Sequence, residues 1–228
     1  ILQSASDSDA RVRFQAAFSL GEIQSPAALA ALGQIAKKDA ADVWTRTAIL
    51  SSTAETSADL LAHLLQDSAF IRSEDSAILI RDLAQIIGTR GHSAEMQQVV
   101  SAITADTQHL RLHDILIGIG EGLKRKGKNL RSAGLTGTAA ATLTAALEKA
   151  AHSALNGQGS IASRQTAIQL LTFDDHAHAS QPLAALLEMT QPQELQIAAI
   201  TALSRFTEPA VTPLLLTHWK TQTPAVRS

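Results

Sequence analysis

Apolar residues return along this chain at helical spacing. The first clear instance is DARVRFQAAFSLGEI, residues 9–23, where Val12, Ala16, Ala17 and Leu20 fall on one helical face. Asp9 stands four residues before Arg13, a spacing that suits an ion pair along the helix and puts a negative charge at its start. With Val12 as anchor, the pattern returns at Thr45, where Asp42 and Arg46 repeat the Asp-xxx-Arg pair. It then recurs at Ile78, Leu110, Ser163, Leu195 and Val226. The steps are 33, 33, 32, 53, 32 and 31 residues. A period in the low thirties, lengthened once by about 20 residues, predicts stacked helical pairs.

Between the anchored helices the sequence predicts shorter apolar helices at roughly 26–36, 57–66, 93–104, 139–155, 180–189 and 208–219. No such pair buries its apolar face alone, so each must stack on its neighbours. The punctuation agrees. Ser25-Pro26, Thr212-Pro213 and Thr223-Pro224 each read as an N-cap followed by the first helical residue. Gly88 and Asn156-Gly157 fall where helices should stop. No alternating β-branched run is long enough for a sheet. The expected fold is all-α: a right-handed α-solenoid of about six helical pairs. It forms one array over residues 1–228, with an insertion around 124–138 that leaves the stack. Ile1-Leu2-Gln3 reads as the tail of one helix and Val226-Arg227-Ser228 as the start of another. The array is therefore expected to belong to a longer, multidomain protein.

Composition narrows the picture. The chain has five Phe, two Trp and no Tyr among 228 residues, too few aromatics for an ordinary β-sandwich core. Ala, Leu and Ile dominate its apolar residues, which suits closely packed helices. Nineteen basic residues face 21 acidic ones, for a net charge of −2, so the chain lacks the basic footprint of a nucleic-acid binder. With no cysteine it has no disulfide, thiolate metal site or covalent haem attachment. No apolar run approaches the ~20 residues of a membrane span.

The pattern Asp9-xx-Val12-Arg13-xx-Ala16 through Leu20-Gly21 resembles the HEAT-repeat consensus, and the other anchored helices do so more loosely. The fold that this implies is a HEAT/armadillo-like superhelix. A further likeness rests on DARVRFQAAFSLGEI, DAADVWTRTAILSS, GEGLKRKGKNL and QPQELQIAAITALSRF. These stretches resemble the HEAT segment of large bacterial haem-binding dehydrogenase-like proteins of the PVC type. In that family a β-propeller precedes the array and a cytochrome c module with a CxxCH motif follows it. The resemblance implies an exported or periplasmic protein. Neither flanking module lies in this chain, so no residue here inherits the family's redox chemistry.

Candidate chemistry is sparse. KRKGKNLR supplies Lys124, Arg125, Lys126, Lys128 and Arg131. It reads either as an anion-binding or partner-docking patch, or more plainly as a solvated helix end with Gly127 as the stop. The GIGEG stretch at 118–122 lacks the spacing of a phosphate loop. Its glycines are expected to let helices approach closely or to weaken the helix locally. His109 and His113, spaced i,i+4, and His176 and His178, after Asp174-Asp175, have metal-ligand geometry within reach, but a solvated surface is the simpler account. Trp44 and Trp219 are expected in the core, with a partner-facing hot spot as the alternative. No catalytic, cofactor or metal residue is assigned.

The functional expectation is a non-catalytic scaffold, spacer or protein-interaction module within a larger haem-binding dehydrogenase-like protein. Its expected partners are neighbouring domains of the parent or another protein, not nucleic acid. The alternatives are a HEAT-like DNA-repair glycosylase acting on alkylated bases, or a stand-alone adaptor. The glycosylase would need a basic, aromatic-lined groove, which this composition disfavours.

Overall fold

The computed structural model describes residues 1–104, 110–219 and 223–227, and every regular element among them is helical. The fold is an α-solenoid of repeated helical pairs. The chain divides into two compact units. One comprises Ile1–Lys128 and Ser132–Ala140, the other Asn129–Arg131 and Ala141–Ser228.

The first unit opens with a 3-10 turn, Leu2–Ser6, followed by α1 (Ala10–Leu20), α2 (Pro26–Asp39), α3 (Val43–Ser52) and α4 (Ser57–Leu64). A short helix that the apolar pattern does not predict, α5 (Ser68–Arg72), comes next. It is followed by α6 (Ser76–Arg90), α7 (Ser93–Thr104) and α8 (Leu112–Lys124). Side-chain caps set the starts. Asp9, Ser25, Asp42 and Asp67 each accept a backbone N–H of the first turn, satisfying donors that the helix leaves without partners. Alternate helices pack together: α1 on α3 and α6 on α8 in one layer, α2 on α4 and α4 on α7 in the other.

The α6–α8 pair is the most intimate. α8 buries Ile115, Leu116, Ile117 and Ile119 together with Gly118, Gly120 and Gly122, so apolar surface surrounds it on nearly every side. A Cβ on Gly118 would strike the Arg81 carbonyl oxygen, and one on Gly122 would strike the Thr89 nitrogen and the Gln85 carbonyl. A Cβ on Gly88 would in turn strike the Ile119 carbonyl. Gly88 therefore does not stop a helix, as its place in the sequence suggests. It lies inside α6 as a point of backbone approach, and Gly91, at φ 71°, ends that helix.

The anchor register also shifts. Val12 is 38% exposed, whereas Arg13 is buried beside Ala16, Ala17 and Leu20. The Arg13 guanidinium does not pair along the helix with Asp9. It makes two 2.6 Å bonds to Asp39 at the end of α2 and donates to the Asp7 and Ser8 carbonyls at 2.7 and 3.0 Å. The Asp39 hydrogen bond, which outweighs the cost of burial, raises the pKa of Arg13 above its ordinary value.

After Lys124 the chain leaves the α-helical path through a turn with Gly127 at φ 67° and a 3-10 segment, Leu130–Ala133. This segment is anchored: Ala133 is 3% exposed in the first unit and Leu130 is 1% exposed in the second. Leu130 also donates its backbone N–H to the Phe173 carbonyl at 2.9 Å. The remaining helices are α9 (Gly137–Leu155), α10 (Ile161–Leu171), α11 (His176–Ala185), α12 (Gln193–Leu203), α13 (Val211–Trp219) and α14 (Pro224–Arg227). In the second unit α10 and α11 both pack on α12. α11 starts four residues before its expected position because Asp175 caps it by accepting the His178 N–H. This leaves Pro182 inside the helix and buried.

The two units share a device. Early in several anchored helices a buried polar residue is tied by hydrogen bonds to chain outside its own helix. Thr45 Oγ1 donates to the Asp42 carboxylate at 2.8 Å. Arg164 donates to the Ala154 carbonyl at 2.8 Å and to Gln191 at 2.7 Å. Gln196 donates to the Glu188 carbonyl at 2.8 Å. These bonds satisfy polar atoms that would otherwise be costly to bury.

Candidate functional site

In the first unit, the turn between α1 and α2 and the turn between α3 and α4 border a groove of 810 Å³. Gly21 lets the turns approach: a Cβ there would lie 2.6 Å from the Ser52 Cβ, and Ser52 Oγ donates to the Ala17 carbonyl at 2.8 Å. Gly33 in α2 makes room for the His63 ring of α4, which a Cβ would meet at 2.8 Å. Ile23, Leu29 and Leu32 give the groove its apolar lining, and Gln24, Gln66 and Gln98 contribute exposed amides. Two exposed carboxylates, Glu55 and Asp59, also line it, and no lining residue is Lys or Arg. Asp59 accepts from the Gln98 amide at 2.9 Å. Glu55, 84% exposed, pairs at 3.0 Å with Arg90, which also meets Glu95 at 3.0 Å. The apolar pattern gives no sign of this groove, because its lining comes from turns and helix ends separated by up to 78 residues (Leu20 to Gln98).

The basic run is divided. Lys124, Arg125, Lys126 and Lys128 are exposed at the end of α8 and in the turn after it, and Lys126 Nζ donates to the Arg90 carbonyl at 2.6 Å. Arg131 belongs to the second unit and is engaged there. It donates to Asp174 at 2.6 and 3.1 Å and lies 3.7 Å from Asp175. The Asp174 side chain is 2% exposed, and its hydrogen bond raises the pKa of Arg131.

Asp174, Asp175 and His178 place three ligand atoms within 4.8 Å of one another, and the Arg131 guanidinium supplies a cation to that cluster. Burial pushes the Asp175 carboxyl up, but hydrogen bonds from His178 outweigh it and leave the pKa lowered. His176 does not join the cluster. Its ring meets Phe206 edge-on, with centroids 5.7 Å apart. Of the other histidine pair, His109 lies outside the described residues.

The tryptophans are not in the core. Trp44 is 70% exposed beside Val43 at 55%, and Trp219 is 47% exposed. Trp44 precedes Thr45, the residue that occupies the inward position of α3, so its own direction is outward.

A HEAT-repeat family model matches residues 1–53. None of the curated proteins compared with the chain matches it. Among solved structures, human deoxyhypusine hydroxylase in complex with glycerol aligns with 14% identity over 99% of this chain and 90% of that one, at a TM-score of 0.35. So loose a superposition carries no functional argument. The matched stretch runs from the first 3-10 turn to the end of α3, and residues 1–53 are a HEAT-repeat segment.

Proposed function

We propose that this chain is a non-catalytic protein-interaction module that holds a segment of a partner in the groove between the α1–α2 and α3–α4 turns. The observation that carries the reading is the groove itself: 810 Å³, apolar inside, rimmed by exposed amides and carboxylates, and lined in part by the stretch that matches HEAT repeats. Such a mixture of apolar surface and a few polar groups is what recognition sites use. The exposed basic turn from Lys124 to Lys128 is a second contact, for an acidic surface. In its wider setting the module is a spacer in an exported, haem-binding dehydrogenase-like bacterial protein, partnered by its neighbouring domains and needing no cofactor of its own. The motif likeness of DARVRFQAAFSLGEI and GEGLKRKGKNL supports that setting. A CxxCH motif downstream in the same reading frame is the expected finding, and its absence removes the setting but not the module. The glycosylase alternative is disfavoured because Glu55 and Asp59 would repel a phosphate backbone.

A further inference from the structure

We infer that the groove selects an extended protein segment that is basic, with Lys or Arg side chains flanking one aliphatic side chain. This rests on reading the groove as a docking surface and adds the chemistry of what docks. Charge selects the occupant. Glu55 and Asp59 line the groove, and no lining residue is Lys or Arg. The two lining carboxylates carry −2, and Arg90, shared between Glu55 and Glu95, offsets only part of it. An acidic segment or a nucleic acid would be repelled, and an unlike charge drawn in.

The other lining groups specify a polypeptide rather than a bare cation. Gln24, Gln66 and Gln98 each offer an amide donor and an acceptor, the pair of functions that an extended backbone presents in return. Ile23 is 38% exposed at the edge, and Leu29 and Leu32 continue the apolar surface inward, where one aliphatic side chain would shed water. The carboxylates give selectivity and salt dependence, and the aliphatic contact gives affinity.

The test is selection from a displayed library of random nine-residue peptides on the full chain at low salt. Fluorescence anisotropy on the recovered peptides follows. Sequences enriched in Lys or Arg around a Leu, Ile or Val are expected. The double variant E55Q/D59N should weaken them about fivefold to tenfold, in line with two exposed ion pairs. Raising the salt should shrink that difference. Ala62→Trp, which fills the groove, should abolish binding, with Ser51→Trp as a second blocking variant should the first fail to fold. Peptides without charge preference that Ala62→Trp still abolishes would overturn the basic partner and leave the docking reading standing. No enrichment over the blocked variants would sink both. Displacement by spermine at the concentration at which the peptides themselves bind would mean a small polycation and overturn the protein segment.

Discussion

Two carboxylates show how placement of a single residue sets the sign of its effect. Asp67 caps α5 and lies 2.9 Å from Lys37, and the Lys37 hydrogen bond, with the capping N–H groups, lowers its pKa. A lowered folded pKa stabilises above the unfolded value, and the gain is lost as pH falls through the folded one. Asp82 is the reverse. Burial raises its pKa against the pull of Arg46 and Arg81, and Glu121 adds to the rise. Its cost is present above the folded pKa and disappears as pH falls below the unfolded one. Asp67→Ala should therefore lower stability at neutral pH by about 1 kcal/mol, and Asp82→Asn should raise it by a few tenths of a kcal/mol. Both differences should close on acidification. Urea midpoints at neutral and acid pH check the pair, and a difference that grows in acid would refute the assigned sign.

At the scale of elements, α8 and the turn after it are opposite cases. α8 exists in its place because Gly118 and Gly122 admit the backbone of α6. Gly118→Ala would improve helix propensity by about 1 kcal/mol in isolation, yet here the methyl meets the Arg81 carbonyl and the Ala84 side chain. The net expectation is a loss of about 1–3 kcal/mol from overpacking. Gly157→Ala, where a Cβ meets nothing within 4 Å, is the control and should change stability little. Thermal melts of the two variants decide it, and equal melting temperatures would mean that the α6–α8 approach is looser than described. In the turn, changing Lys124, Arg125, Lys126 and Lys128 to Ser should leave the melting temperature nearly unchanged, because exposed charges contribute little. A large drop would make the basic turn structural and remove it from the proposed contacts.

For the whole molecule, each unit ties a guanidinium to a carboxylate shielded from water: the buried Arg13 with Asp39 in the first, and the half-buried Arg131 with the buried Asp174 in the second. Truncating either arginine strands a carboxylate and should cost about 3–5 kcal/mol. Helical arrays are stabilised by nearest neighbours, so the loss should be felt first in the unit that contains it. Hydrogen exchange measured by mass spectrometry should quicken over α1–α4 in Arg13→Ala and over α10–α12 in Arg131→Ala. The same acceleration across both units in either variant would mean a single cooperative block.

The sequence by itself determined the helical repeat, its period, most helix positions and the absence of a sheet pattern. These follow from local chemistry: apolar spacing, caps such as Ser25-Pro26, and composition. It also marked Arg13, Arg131 and Gly118 as notable, but not what each is for. An arginine after an aspartate looks the same whether it pairs along its own helix or reaches Asp39, 26 residues on. The one-residue shift from Val12 to Arg13 escaped the apolar pattern because a buried arginine with four hydrogen bonds has no apolar signature. Trp44 faces water although its size suggests a core, since the helix phase fixed by Thr45 and Ala48 decides direction. The groove belongs wholly to tertiary structure. Its lining residues come together only when successive turns are stacked, and short-range patterns carry no record of which turns will be neighbours.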